Sequence, residues 1–185
     1  MKMNNQNQTI DEVTKMAKDF YWMKEALKLA EQGMKEYDEL PIATILVAGD
    51  QEIGRGVTSN VRKNALVAHG ELLVLLNAAR KVLFCERPLV LYTTLEPCIM
   101  CLGASIECGV DKIVYSMPAP PDGGVCYAES IRGIKEKIPE IVGGVFEEEE
   151  YKLMKQFIAT HDNTSSAWYY VTQMIKEYED SKNEI

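Results

Sequence analysis

A three-layer α/β fold, with a mixed sheet of about five strands and helices on both faces, is the architecture that the sequence predicts. Segments with the character of buried strands alternate with segments whose apolar residues recur at helical spacing. The first two strands are separated by a short turn, which indicates an antiparallel hairpin, whereas helices join the later strands. The length of 185 residues suits one domain with an ordinary core.

In the first half of the chain, each element is indicated by its own local pattern. The first nine residues are polar, and apolar residues then recur every three or four positions as far as Met34. The run IATILVAG is typical of a buried strand, and leucines on one face mark the next helix. The predicted elements are a disordered N-terminus over 1–9, a helix over 10–34, strands over 42–49 and 52–57, a polar loop over 59–64 and a helix over 68–83.

In the second half, proline and glycine mark the boundaries. Pro88 precedes an apolar run, and Pro97 is expected in the first turn of a helix, where its missing N–H costs nothing. Gly109 follows the last apolar residue of that helix. The predicted elements are strands over 89–94, 112–117 and 140–146, a loop over 118–124, and helices over 97–109, 130–137, 148–160 and 165–180.

Composition limits the possible partners and the cellular compartment. Lys and Arg number 20 against 28 Asp and Glu, so the formal net charge is −8. An acidic chain does not attract polyphosphate by bulk charge, and we therefore expect a small-molecule partner rather than nucleic acid. No apolar run is long enough to cross a bilayer, and the polar start lacks a signal core, which predicts a soluble cytoplasmic protein with no membrane contact.

Two of the five cysteines have the spacing of metal ligands. The odd number of cysteines favours reduced thiols over a disulfide framework. Cys98 and Cys101 are three apart on one helical face, and the helix dipole near the N-terminus favours thiolates. Alone, this pair could also be a redox motif or two core cysteines, although the redox interpretation expects a thioredoxin-like context that the sequence lacks.

One of only two histidines strengthens the metal interpretation. His69 lies at a helix start with Glu71 two residues later; such a histidine is otherwise more often a cap or a core residue. With two cysteines it gives three protein ligands, and a zinc site with three protein ligands keeps its fourth position for water. Glu71 would then serve as the base. The remaining candidates lack a partner at ligand spacing and are interpreted as bystanders: Cys85, Cys108, Cys126 and His161.

The sequence His69-Gly70-Glu71, followed by Pro97-Cys98-Ile99-Met100-Cys101, resembles the signature of the cytidine-deaminase-like zinc deaminase superfamily. Residues 39–56 and 91–115 are similar to its first hairpin and its second motif. The likeness is greatest to cytosine, guanine and tRNA adenosine deaminases. It implies the cytidine-deaminase-like fold over residues 10–160, and we expect residues 161–185 to form a C-terminal helix on or near the active site.

The resemblance also implies residue roles. His69, Cys98 and Cys101 would bind one Zn²⁺ per chain, and Glu71 would shuttle the proton. In the family reaction, zinc hydroxide attacks the ring carbon that bears the amine, and ammonia leaves. The Glu96 carbonyl and the Cys98 amide would contact the reacting groups. A homodimer is implied as well.

Substrate contacts are indicated where the sequence departs from the family. Most relatives have alanine in place of Gly70, and glycine costs a helix about 0.5–1 kcal/mol, so we expect something to approach this backbone closely. Counting back from His69, the family's substrate-binding asparagine falls on Thr58, with Asn60 and Asn64 nearby. Trp168, with Tyr169 and Tyr170, could cap the base or pack the helix. The substrate-contact candidates are Thr58, Asn60, Gly70, Glu96 and Trp168.

Three functional hypotheses remain open from the sequence. The first is a deaminase of a cytosine-like or guanine-like base or nucleoside. The second is a tRNA adenosine-to-inosine deaminase, against which the acidic charge argues. The third is a non-catalytic, zinc-stabilised module, against which Glu71 argues. The salt dependence of activity on RNA separates the first two, and ammonia release separates both from the third.

Overall fold

The computed structural model describes residues 5–60, 62–130 and 137–183. These residues form five helices and five strands, with one short 3₁₀ helix over Val125–Ser130. The helices are α1 (Asn5–Tyr37), α2 (Gly70–Val82), α3 (Ile99–Glu107), α4 (Glu147–Thr160) and α5 (Ser166–Asn183). The strands are β1 (Ala43–Ala48), β2 (Gln51–Val57), β3 (Leu89–Leu95), β4 (Lys112–Met117) and β5 (Glu140–Val142). Their order along the chain is α1-β1-β2-α2-β3-α3-β4-β5-α4-α5, with the 3₁₀ helix between β4 and β5.

The five strands form one mixed sheet in the order β2-β1-β3-β4-β5. Strand β1 pairs antiparallel with both β2 and β3, so the predicted hairpin is confirmed. Strands β3, β4 and β5 run parallel to one another. Because parallel neighbours need crossover connections, β3 and β4 are joined through α3, as the sequence pattern indicated. The connection from β4 to β5 contains the 3₁₀ helix and residues 131–136, which lie outside the described residues.

Apolar side chains on both faces of the sheet produce the three layers. Leu46 and Ala48 of β1 face α2 and α3, in a buried cluster with Leu75 and Leu102. The alternate residues of β1 face α1 on the other side. Helices α4 and α5 extend that second layer and bury Met154, Phe157, Val171 and Met174. The predicted three-layer α/β/α architecture is therefore confirmed.

Several boundaries differ from the sequence prediction. Helix α1 begins at Asn5, inside the segment predicted to be disordered, because adding a turn to an existing helix needs no new nucleus; residues 1–4 lie outside the described residues. Strand β5 ends at Val142 rather than at residue 146, since Gly144 has a φ of +82° that breaks the strand. The predicted helix over 130–137 falls mostly on residues 131–136, which also lie outside the described residues.

Helix α3 begins two residues later than predicted. Cys98 is its N-cap, with extended backbone angles of φ −66° and ψ 168°, and the first helical residue is Ile99. Pro97 therefore precedes the cap instead of occupying the first turn, which leaves the Cys98 side chain at the mouth of the helix. Within the described ranges, no helix is long and apolar enough to cross a membrane.

Candidate active site

Two helix N-termini supply the metal-ligand candidates. His69 is the N-cap of α2 and Cys98 is the N-cap of α3, both with extended backbone. Neither side chain bonds its own helix as a cap, so both can turn toward a shared point. Cys101, in the first turn of α3, is fully buried beside them.

The spacing of the three side chains fits a tetrahedral metal ion. His69 Nδ1 lies 3.5 Å from Cys98 Sγ and 3.6 Å from Cys101 Sγ. Zinc bonds of about 2.3 Å to sulfur and about 2.0–2.1 Å to nitrogen, at a tetrahedral angle, require an N···S separation of roughly 3.6 Å. All three ligand atoms lie within 4.8 Å of one another, and no fourth His, Cys, Asp or Glu joins them in the part of the chain that the structure describes.

The proton balance of the ligands also favours a cation. A hydrogen bond from Cys101 and the neighbouring His69 lower the pKa of Cys98 to about 4, against the effect of burial. The pKa of Cys101 is raised, because it donates to Cys98 and is buried. The two sulfurs therefore share one proton, which a divalent cation would displace to gain two thiolates.

Glu71 is a buried acid next to this cluster. Its side chain is 3% exposed, and it lies in the first turn of α2, two residues after His69. Burial raises its pKa, while the backbone at Glu71 and the charge of His69 oppose the rise. An acid with a raised pKa beside a metal site has the properties of a group that accepts and returns a proton.

These residues open into a cavity of about 780 Å³. His69, Cys98 and Glu71 line it, together with residues from the strand ends and the 58–67 loop, and Cys101 is buried behind Cys98. A second group of lining residues comes from the loop after β4 and from the start of α5, and we call it the C-terminal wall: Ala119, Asp122, Ser165, Ser166, Ala167 and Tyr170. Among the described residues, the lining contains carboxylates at Glu71, Glu96 and Asp122 but no Lys or Arg.

The loop over residues 118–124 is joined directly to the start of α3. The Glu96 carboxylate accepts hydrogen bonds from the amides of Ala119 and Val125, at 3.1 and 3.2 Å. Gly124 N donates to the Pro97 carbonyl at 2.9 Å. A Cβ on Gly124 would lie 2.5 Å from Ile99 N, a separation that real Cβ atoms do not reach. Only glycine therefore allows this close approach.

The structure brings three of the five predicted substrate-contact candidates to the cavity. Thr58, Asn60 and Glu96 line it, as does Asn64. The Thr58 hydroxyl donates to the Ala68 carbonyl at 3.3 Å. The Asn60 amide, in its better-bonded orientation, donates to the carbonyls of Ala65 and Ala68 and so closes the loop before His69.

Gly70 and Trp168 do not line the cavity within the described part of the chain. Gly70 is buried against the sheet, where a Cβ would lie 3.0 Å from Thr44 Oγ1; this is the close approach that its presence in a helix suggested. Trp168 packs against the core and donates its indole N–H to the Ile158 carbonyl at 2.9 Å. The aromatic residue of α5 that reaches the cavity is Tyr170.

Asp122 was not among the candidates from the sequence. It belongs to the only Pro/Gly-rich stretch of the chain, PAPPDGG, which follows β4. A signal for it existed, because ligands in open α/β sheets bind beyond the carboxyl ends of parallel strands, and an acidic residue in a short loop there is a candidate contact.

Residues 16–117 match the family model described as "Cytidine and deoxycytidylate deaminase zinc-binding region". A tRNA-specific adenosine deaminase of Bacillus subtilis is 36% identical over 140 residues, covering 72% of this chain and 84% of the relative. A cytosine deaminase of Candida albicans is 34% identical over 95 residues, covering 49% and 63%.

Two solved structures superpose on this chain. A chain from a study of tRNA:A34 deaminases superposes with a TM-score of 0.62 at 30% identity, covering 72% of this chain and 98% of its own length. A guanine deaminase from Nitrosomonas europaea superposes with a TM-score of 0.61 at 23% identity, covering 73% and 81%, and supports the fold alone.

Proposed function

Because the chain belongs to the cytidine and deoxycytidylate deaminase zinc-binding family, we propose that it is a zinc-dependent hydrolase that releases ammonia from an amine-bearing nucleobase ring. One observation carries the proposal: His69, Cys98 and Cys101 form a three-ligand cluster of tetrahedral dimensions, with buried Glu71 beside it, and His69, Cys98 and Glu71 line a cavity. A catalytic zinc site has three protein ligands and one open position.

Each of the chain's own residues has a task in this reaction. When bound, zinc supplies an acidified water molecule. Glu71 would take one proton from that water and pass it to the ring nitrogen as the water oxygen bonds to the ring carbon. It would then take the second proton from the resulting hydroxyl group and pass it to the amine, which leaves as ammonia when the C–N bond breaks. Its raised pKa suits both transfers, because a group that exchanges protons in both directions works best when its pKa is near the working pH. The N-caps of α2 and α3 hold the ligands in place.

The cavity favours a free base or a nucleoside as the substrate. It is large enough for either, and its described lining has three carboxylates and no cationic side chain. A phosphate group inside it would meet repulsion without compensation, whereas ring N–H and amino groups would find acceptors.

The second candidate is adenosine within a tRNA, and the comparisons with known proteins favour it. Relatives named as tRNA-specific adenosine deaminases are up to 39% identical to this chain. Net charge, from which the sequence argued against nucleic acid, therefore does not decide between the two substrate classes. A polynucleotide would place only the target base in the cavity and its phosphates outside.

Zinc analysis combined with an ammonia-release panel tests the proposal. The panel contains cytosine, guanine, adenine, their nucleosides and monophosphates, and a tRNA anticodon stem, with Glu71→Ala as the control. We expect about one zinc per chain and ammonia from one member of the panel, and no ammonia from the variant. A zinc-loaded wild type that deaminates nothing would support a non-catalytic zinc module instead.

The salt dependence of the reaction separates the two substrate classes. Turnover of a free base is expected to change little between low and high salt, because no counterions are released. Activity on tRNA would fall steeply with salt, in proportion to the phosphates contacted.

A homodimer remains a prediction from the family resemblance. The apolar side chains that α2, α3 and the loop before α2 expose to solvent support it, because exposed apolar patches often mark protein interfaces. Leu66, Leu76 and Ile99 are 84%, 64% and 50% exposed. Light scattering on the zinc-loaded protein would measure the mass, and a monomer of 20.9 kDa would contradict the prediction.

A further inference from the structure

Asp122 and Tyr170 stand out in the C-terminal wall because they alone bring ionisable side chains to it. Asp122 lies in the 118–124 loop and Tyr170 in the second turn of α5. Both lie beyond residue 117, where the match to the family model ends. The site's proton chemistry uses neither of them.

Asp122 sits in a loop that has little freedom to move. The amides of Asp122 and Gly123 both donate to the Ala119 carbonyl, at 3.0 and 2.6 Å. The Glu96 carboxylate accepts a hydrogen bond from the amide of Ala119, and Gly124 packs against the backbone at the start of α3. The backbone of Asp122 is therefore held by the loop, and its side chain lines the cavity while remaining exposed to solvent.

The position of Tyr170 is determined by the packing of helix α5 against the core. Its neighbour Val171 is fully buried, and Met174 and Tyr178 continue the buried face of α5 against the core. Tyr170 itself is half-buried and faces the cavity. Burial raises the pKa of its hydroxyl, and the charge of Asp122 adds to the rise, so the hydroxyl stays protonated next to a carboxylate.

A carboxylate only accepts hydrogen bonds, and the Tyr170 hydroxyl both donates and accepts. A ligand that fits beside them therefore offers N–H groups to Asp122. A free base has a ring N–H where a nucleoside has its sugar bond, and a nucleotide adds a phosphate that Asp122 would repel. The wall thus favours a base with an unsubstituted ring nitrogen.

Resting on the proposed function, we propose that Asp122 and Tyr170 determine specificity: they bind the ring N–H edge of a neutral free base and exclude phosphate-bearing substrates. The family chemistry at His69, Cys98, Cys101 and Glu71 would be shared with relatives. The substrate would be selected by two residues outside the family match.

The test compares kcat and KM of the zinc-loaded full chain for free bases and their 5′-monophosphates. Asp122→Asn keeps the shape of the side chain and removes its charge, and Tyr170→Phe removes only the hydroxyl. Asp180→Asn, an equal charge change at an exposed position of α5, is the matched control. Zinc content is measured for each protein.

We expect Asp122→Asn to raise KM for the free base about tenfold or more, since a lost hydrogen bond to a charged group has that size. The kcat should stay within about threefold, because Asp122 is outside the metal-ligand cluster and has no part in the proposed proton transfer. Tyr170→Phe should raise KM by a smaller factor. The ratio of kcat/KM for the free base to kcat/KM for its 5′-monophosphate should decrease in Asp122→Asn only. Asp180→Asn should have the same kinetics as the wild type.

Unchanged KM values in both cavity variants would overturn the proposal, as would a loss of kcat or of zinc without a change in KM. If the zinc-loaded wild type releases ammonia from no compound, the proposed function fails, and calorimetric binding of the free bases takes over as the readout. If the wild type binds a free base and Asp122→Asn binds it more weakly, the proposed role of the C-terminal wall is still supported. If the wild type binds none of the bases, that role is overturned. A wild type that deaminates only the tRNA stem would also overturn it.

Discussion

The metal-binding end of the cavity and its C-terminal wall are built by different means. At the metal-binding end, two helix N-caps and one buried cysteine converge, and a family signature marks every participant. The C-terminal wall combines a glycine-dependent loop with one face of a late helix, and both lie beyond residue 117, where the match to the family model ends. The comparison teaches that the residues for the chemistry come from a compact motif, whereas the proposed substrate contacts come from segments that are far apart in the chain.

The largest effect on activity is expected from Glu71→Gln, a substitution beside the metal-ligand cluster. Because this change removes only the ability to exchange a proton, we expect kcat to fall by about 10²–10⁴-fold for every substrate that the wild type accepts. Zinc content should stay at the wild-type level, since Glu71 is not in the ligand cluster. Steady-state kinetics with metal analysis measures both, and substrate-dependent losses would contradict a purely chemical role.

The junction between the two regions is tested by Gly124→Ala. A Cβ there would lie 2.5 Å from Ile99 N and 2.7 Å from the Cys98 carbonyl carbon, so backbone must move. Overpacking of this kind costs about 1–3 kcal/mol, measured as the free energy of unfolding in urea. Gly103→Ala is the control, because nothing lies within 4 Å of its Cβ. Equal stability of the two variants would show that the loop is not tightly joined to α3.

A second buried acid offers a comparison with Glu71. Glu150 of α4 is fully buried, and neither carboxylate oxygen has a hydrogen-bond partner among the described residues. Burial raises its pKa well above the usual value, although nearby Thr94 opposes the rise. Unlike Glu71, it does not line the described cavity, so its raised pKa affects stability rather than chemistry.

For such a group, the folded state holds the proton more tightly than the unfolded state. Stability therefore falls as pH rises from the unfolded pKa toward the raised folded pKa. We expect Glu150→Gln to gain stability relative to wild type as pH rises from about 4.5 upward, by an amount on the order of 1–2 kcal/mol. Urea unfolding of both proteins at several pH values measures the difference, and a constant difference would contradict the prediction.

The smallest effect on stability and activity is expected at Trp168, which the sequence analysis considered as a residue that caps the base. Trp168→Phe removes the indole N–H bond to the Ile158 carbonyl, which contributes about 1 kcal/mol to stability. The KM should not change, because the side chain packs away from the cavity. Thermal unfolding measures the stability, and steady-state kinetics measures the KM. An altered KM would indicate that Trp168 contacts the substrate.

The sheet, its hairpin and the metal cluster were predictable because each depends on local patterns. Alternating apolar runs determine which strand faces are buried, and HxE with PCxxC places three ligands at two helix starts. The start of α3 was less predictable, because Pro97 is compatible with both the first turn and the residue before the cap.

The C-terminal wall was predictable only in outline. A tail aromatic was expected, but the orientation of α5 selects Tyr170 over Trp168, and orientation depends on packing against α4. Gly70 was expected to mark a close approach, yet only the fold shows that Thr44 is the neighbour. Such contacts join residues far apart in the chain, which local pattern does not reveal.

His69 and Cys98 are 29 residues apart in the chain and cap separate helices. A metal ion bound by both would act as a cross-link that exists only in the folded state. Its binding free energy is then also folding free energy, and above the dissociation constant each tenfold rise in free metal adds about 1.4 kcal/mol to stability. The supply of zinc in the cell would set how much of this chain persists as folded protein, before any substrate arrives.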